Sequence, residues 1–98
     1  MHDPEDVLKE SPLYKYVPLW VKEYGMSGGT DRQAVETFID CEGREALNGL
    51  RTELIAIADG RYVDSVFDVI VGIKRRTKHT SYAEWAKLML QWIAGYKG

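Results

Sequence analysis

The sequence predicts an all-α fold, a single small bundle of about four to five helices, and three observations carry that prediction. Apolar residues recur every three or four positions in three separate stretches, around Phe38, Leu50 and Trp85, the spacing that places them on one face of a helix. Thr30-Asp31-Arg32-Gln33 and Ser81-Tyr82-Ala83-Glu84 have the form of capping boxes, in which a hydroxyl and a side chain three residues on each satisfy a backbone N–H. Gly25, Gly43, Gly60 and Gly95 fall where the apolar stripes end, as helix-stopping residues do.

Taken in order, residues 1–12 read as a flexible acidic N-terminal arm, with Ser11 and Pro12 as a cap and first-turn proline; residues 13–98 read as one helical domain. Pro18 excludes a helix centred on it, because it lacks an N–H and clashes with the preceding turn. A short helix is therefore expected from about Val17 to Tyr24. The Thr30 box opens a second helix with Ala34, Val35, Phe38 and Ile39 on one stripe. A third runs from Arg44 to about Ala58 and carries Leu47, Leu50, Leu54 and Ile57. Residues 62–73 fit two patterns: Val63, Val66, Phe67 and Ile70 make a helical face, while Phe67, Val69, Val71 and Ile73 alternate as in a strand. A lone strand among helices has nothing to pair with, so helix is preferred. Lys74 to Thr80 reads as a polar, basic connector. The Ser81 box then opens a last helix with Trp85, Leu88, Met89, Trp92 and Ile93 on its stripe, ending near Ala94. Trp85, Leu88, Trp92, Leu50 and Leu54 are expected to share one core.

Composition narrows the function classes. The 98 residues are 45% hydrophobic and 29% charged, values of a globular chain with room for one core. Cys41 is the only cysteine; it has no disulfide or zinc-knuckle partner and reads as a small buried residue on a helix. The first residues are acidic where a secretory signal would be basic and then apolar, and no apolar run reaches the roughly 18 residues of a membrane span. A reducing, cytoplasmic setting is the expectation. The net charge of −2 is polarised: residues 1–73 carry 14 acids and seven bases, residues 74–98 one acid and six bases.

Four features bear on chemistry. Glu36 and Asp40, and Asp64 and Asp68, are like-charge pairs at a spacing of four, each costing an isolated helix a few tenths of a kcal/mol. With no histidine at ligand spacing, metal or catalytic use is not favoured; an acidic surface for a basic partner and a simply solvated face both fit. Lys74, Arg75, Arg76 and Lys78 form the densest basic run, able to contact phosphate, with Tyr82 downstream to stack on a base. The mild overall acidity speaks against nucleic acid, and cations also suit the end of a preceding helix. Met26-Ser27-Gly28-Gly29-Thr30 lacks the Gly-Lys-Ser/Thr ending of a phosphate loop, and no nucleophile triad can be assembled. Tyr16, Trp20 and Tyr24 share one helical face, suited to a core or, where exposed, to interface anchors.

The order of motifs, Trp20 and Tyr24-Gly25, then Gln33-Ala34-Val35-Glu36-Thr37-Phe38-Ile39, Leu50-Arg51-Thr52-Glu53-Leu54 and Ser81-Tyr82-Ala83-Glu84-Trp85, resembles the small helical bacterial immunity proteins of contact-dependent growth inhibition systems over about residues 13–93. The chain departs from them at Val17-Pro18-Leu19, where the family often carries a polar His-Gln-Asp run, so no role transfers to that segment. The resemblance implies a cytoplasmic protein that binds and neutralises a cognate toxin domain delivered from a neighbouring cell, and it supplies no catalytic residues; with no site legible in the residues, neither enzyme activity nor a metal or other cofactor is expected. The acids Glu36, Asp40, Asp64 and Asp68 are the expected partner-binding set. The alternative expectation is a small helical nucleic-acid-associated or regulatory protein using residues 74–78.

Overall fold

The computed structural model describes residues 14–26 and 29–96, so the acidic arm and the Ser11-Pro12 cap lie outside the described residues. The first helix, α1 (Tyr16–Trp20), continues into a π-helical turn, Val21–Gly25. It is followed by α2 (Asp31–Cys41) and α3 (Arg44–Ala58). A short α4 (Asp64–Phe67) runs into a second π turn, Asp68–Gly72, then α5 (Ile73–His79) and α6 (Tyr82–Gly95). Among the described residues there is no strand, and the all-α bundle expected from the stripes is the fold observed.

The core of the bundle forms along α3 and α6, which make the most extensive helix pair. Helix α2 packs on α6 on one side, α1 lies over α3, and α5 returns to α6. Leu50, Leu54 and Ile57 of α3 join Trp85, Ala86 and Met89 of α6 in one fully buried cluster that also takes in Val17, Trp20, Val35 and Phe38. Phe67 is enclosed by three tyrosine rings, with centroids 5.0 Å from Tyr14, 5.2 Å from Tyr62 and 5.3 Å from Tyr82. Such aromatic nests add geometry-specific stabilisation to the burial of area.

Local signals set several helix ends. At α2 both arms of the capping box form: Thr30 Oγ1 accepts from the Gln33 N–H and Gln33 Oε1 accepts from the Thr30 N–H, each at 3.1 Å. At α6 only half of the box forms. Ser81 Oγ accepts from the Glu84 N–H at 3.1 Å, while the Glu84 carboxylate turns to Lys87 at 3.4 Å. Pro18 is accommodated because α1 starts at Tyr16, which puts the proline in the first turn, where a backbone N–H has no intrahelical partner. Gly72, at φ 112° and ψ 131°, breaks the chain between the second π turn and α5 in a conformation that a side chain would strain. Thr80 also has a positive φ of 76°, unusual for a β-branched residue; it lets the chain reverse directly into the Ser81 cap.

Three expectations need correction. Residues 74–79 are helical rather than a connector, because Arg75 and Arg76 both find carboxylates on neighbouring elements and so can pack. The inward arc of α6 is Tyr82, Trp85, Ala86, Met89 and Ile93; at about 100° per residue, Trp92 falls just past its edge and Leu88 further round, and both are only partly buried. Leu50, Leu54 and Trp85 do share the core as expected. Cys41 is exposed rather than buried: seven residues after Ala34 and three after Phe38 it follows the buried stripe, but it is the last residue of α2 and so sits at the open end of that face.

Candidate binding surface

The four acids singled out from the sequence are all on helical segments but stand in different surroundings. On α2, Glu36 is partly exposed and lies 3.5 Å from Arg32, one turn earlier. Asp40 is exposed and accepts a hydrogen bond from the Tyr96 hydroxyl at 2.7 Å, which raises the tyrosine pKa by favouring its protonated form. Asp64 and Asp68 are engaged from within. Arg76 lies 3.7 Å from Asp64 and 3.3 Å from Asp68, and the Tyr82 hydroxyl donates to Asp68 at 2.6 Å. Burial of Tyr82 and this bond to a carboxylate push its pKa up. The like-charge cost at positions 64 and 68 is thus offset by a cation between them. As all three side chains are partly solvated, each ion pair is worth at most about 1 kcal/mol.

The basic run divides into two halves. Lys74 and Lys78 are exposed. Arg75 is directed inward and makes a bidentate pair with Asp31, both contacts at 2.9 Å, at side-chain exposures of 17% and 16%. Its remaining donors reach the Gly25 and Val71 carbonyls, each at 2.8 Å, which tie down both π turns, and its guanidinium lies 5.4 Å from the Trp20 ring centroid. Asp31 also accepts from Trp85 Nε1 at 3.0 Å. Burial opposes the Asp31 charge, but the hydrogen bonds and charge of Arg75, with the indole bond, outweigh it and hold the pKa below the ordinary carboxylate value. Beside this knot, burial and the neighbouring Lys78 depress the His79 pKa. A planar fork serving one carboxylate and two carbonyls is an arrangement that arginine, and not lysine, can supply.

A cleft of about 360 Å³ opens where α1 passes the end of α2, lined by Leu19, Glu23, Tyr24 and Glu42. The Tyr24 hydroxyl donates to Glu42 at 2.6 Å, and this bond, aided by burial, pushes the tyrosine pKa up to about 12. The Tyr24 ring meets Phe38 edge-on at 5.3 Å. Sequence reading placed Tyr24 on an aromatic face but missed Glu23 and Glu42, which carry no motif and come to line one cleft only because the first π turn packs against α2. It also missed Glu53, whose position between Leu50, Leu54 and Ile57 on the apolar arc of α3 was a legible signal of a buried carboxylate.

Among the described residues, no group of three or more His, Cys, Asp or Glu side chains is placed to hold a metal ion, and no helix is long and apolar enough to cross a membrane. Comparison with models of protein families, with curated proteins and with solved structures found no match.

Proposed function

We propose that the protein is an immunity-type inhibitor that binds and neutralises a toxin domain through protein–protein contact. The observation that carries this reading is that the two arginines of the basic run are engaged by carboxylates of the bundle while Asp40 of the α2 acid pair stays exposed. Arg75 and Arg76, the centre of the basic run, are directed onto Asp31, Asp64 and Asp68. Asp40 stays exposed on α2 with Glu36 one turn before it and the Glu23–Glu42 cleft two residues after it. An outward acidic surface attracts a basic partner, speeds encounter and repels anionic competitors such as nucleic acid. The motif order that resembles the growth-inhibition immunity proteins supports the same reading. In it Glu36 and Asp40 are the principal contacts, and Asp64 and Asp68, partly neutralised by Arg76, a secondary set.

The test is co-expression with a candidate toxin domain, together with measured association rates. The parent should protect cells. A Glu36→Lys/Asp40→Lys variant should remain folded, associate at least about tenfold more slowly at low salt and lose most of its salt dependence, because these charges act over a Debye length of about 8 Å at physiological ionic strength. Equal protection and equal rates would remove this surface from the interface. Absence of protection by the parent would sink the immunity reading itself. Oligonucleotide binding tighter than about 10⁻⁴ M at physiological salt, abolished by Lys74→Gln/Lys78→Gln, would favour the nucleic-acid alternative instead.

A further inference from the structure

The cleft beside α2 has walls of unlike chemistry. Leu19, 37% exposed, supplies an apolar wall, Tyr24 an aromatic one, and Glu23 and Glu42 two carboxylates. Its volume of about 360 Å³ lies at the small end of the range of roughly 300–1,000 Å³ found for ligand sites, suited to one long side chain. The walls are held in place before any ligand arrives. Phe38 fixes the Tyr24 ring, and the Tyr24 hydroxyl orients Glu42 through its Oε2, which leaves Oε1 to accept from elsewhere. No hydrogen bond or ion pair ties the Glu23 carboxylate to another described residue, and the π turn carries Glu23 and Tyr24 into the cleft side by side.

We propose that this cleft anchors an arginine side chain of the basic partner protein, its guanidinium taken between Glu23 and Glu42 and its methylenes laid against Leu19 and Tyr24. The inference rests on the reading of the chain as a binder of a basic protein and names the point where that protein is gripped. Arginine fits better than lysine for two reasons. Its planar fork can donate to two carboxylates at once, and its delocalised cation is favoured over an aromatic face. A hard metal cation would want more oxygen ligands than two carboxylates set among a leucine and a tyrosine ring provide.

The experiment is an amide-resolved NMR titration of the full chain with the blocked peptide Gly-Arg-Gly-Arg-Gly and with its lysine and citrulline counterparts. The arginine peptide should perturb the amides of Leu19, Glu23, Tyr24 and Glu42 first, bind more tightly than the lysine peptide, and lose binding when citrulline removes the charge. Glu23→Gln/Glu42→Gln should weaken it by about tenfold, the loss expected for a charged hydrogen bond. Dichroism and melting should stay unchanged, since the amide introduced by Glu42→Gln keeps an oxygen for the Tyr24 hydroxyl. Perturbations spread evenly over all exposed acids, identical shifts with magnesium ion alone, no binding by the parent, or undiminished binding by the double variant would each overturn the proposal. Because the titration uses no toxin, its failure leaves the protection result standing, and peptide capture without protection would retain the cleft while discarding the toxin reading.

Discussion

The Glu53 carboxylate of α3 accepts two hydrogen bonds from the backbone N–H of Tyr16, at 2.8 and 3.0 Å, and one each from the N–H groups of Lys15 and Val17, at 3.1 and 2.9 Å. A buried side chain from a different helix therefore caps α1, whose own preceding residue offers no side-chain cap. The carboxylate meets the positive end of the helix as well as its unpaired donors. Glu53→Ala should cost about 2–3 kcal/mol, because it leaves these donors without partners; Glu53→Gln, which retains one acceptor oxygen, should cost about 1 kcal/mol. Urea unfolding measures both, and equal small losses would show that water caps α1 just as well.

The same approach of α1 to α3 depends on Gly49. A Cβ built there would run into Cε2 and Cδ2 of the Tyr16 ring. Replacing a helical glycine by alanine ordinarily gains up to about 1 kcal/mol, but here overpacking should win, at a cost of about 1–3 kcal/mol. The double-mutant cycle identifies the cause: in a Tyr16→Ala background, Gly49→Ala should become neutral or stabilising. A gain in the parent would mean that the Tyr16 ring swings aside freely.

The two tryptophans of α6 should behave differently. Trp85 is fully buried, lies 5.9 Å from the Trp20 ring and donates to Asp31, so Trp85→Ala should cost about 3–5 kcal/mol. Trp92 is partly exposed at the edge of the arc, and Trp92→Ala should cost about 1–2 kcal/mol, nearer the value of a partial loss of buried area. Comparable losses at the two sites, measured by denaturant unfolding, would contradict the placement of α6.

Acid should weaken the Arg75–Asp31 knot. The folded pKa of Asp31 lies below its ordinary value of 3.8, to which it returns on unfolding. Between those values the unfolded chain binds more protons, so stability falls as pH drops through the window and is fully present above it. Asp31→Asn should flatten that acid limb and cost about 1–3 kcal/mol at neutral pH, where a charge-assisted bond is replaced by a weaker one. Melting followed from pH 2 to 7 in both proteins tests this, and parallel curves would assign the acid limb to other carboxylates.

Features settled within a turn or two of chain were legible in the order of residues alone. The Thr30–Gln33 box, the Arg44–Ala58 helix and the Ser81 cap all form as read, because their bonds join residues three or four apart and need no partner element. The helical choice for residues 62–73 followed from the lack of any strand to pair with, and residues 64–73 are helical. The polarised charge was also legible, as was the spacing of Glu36 with Asp40 and of Asp64 with Asp68. Where those charges go is a matter of packing between distant elements. Arg75 meets Asp31 across 44 residues and Glu53 meets Tyr16 across 37, so nothing local distinguishes the arginine that is bound inside from the lysines beside it that stay in water. The side of α6 that turns inward was set in the same way, by where α2, α3 and α5 press against it. An apolar stripe states that a face will be buried, but its centre depends on the direction from which neighbours arrive, and that direction is a property of the packed bundle.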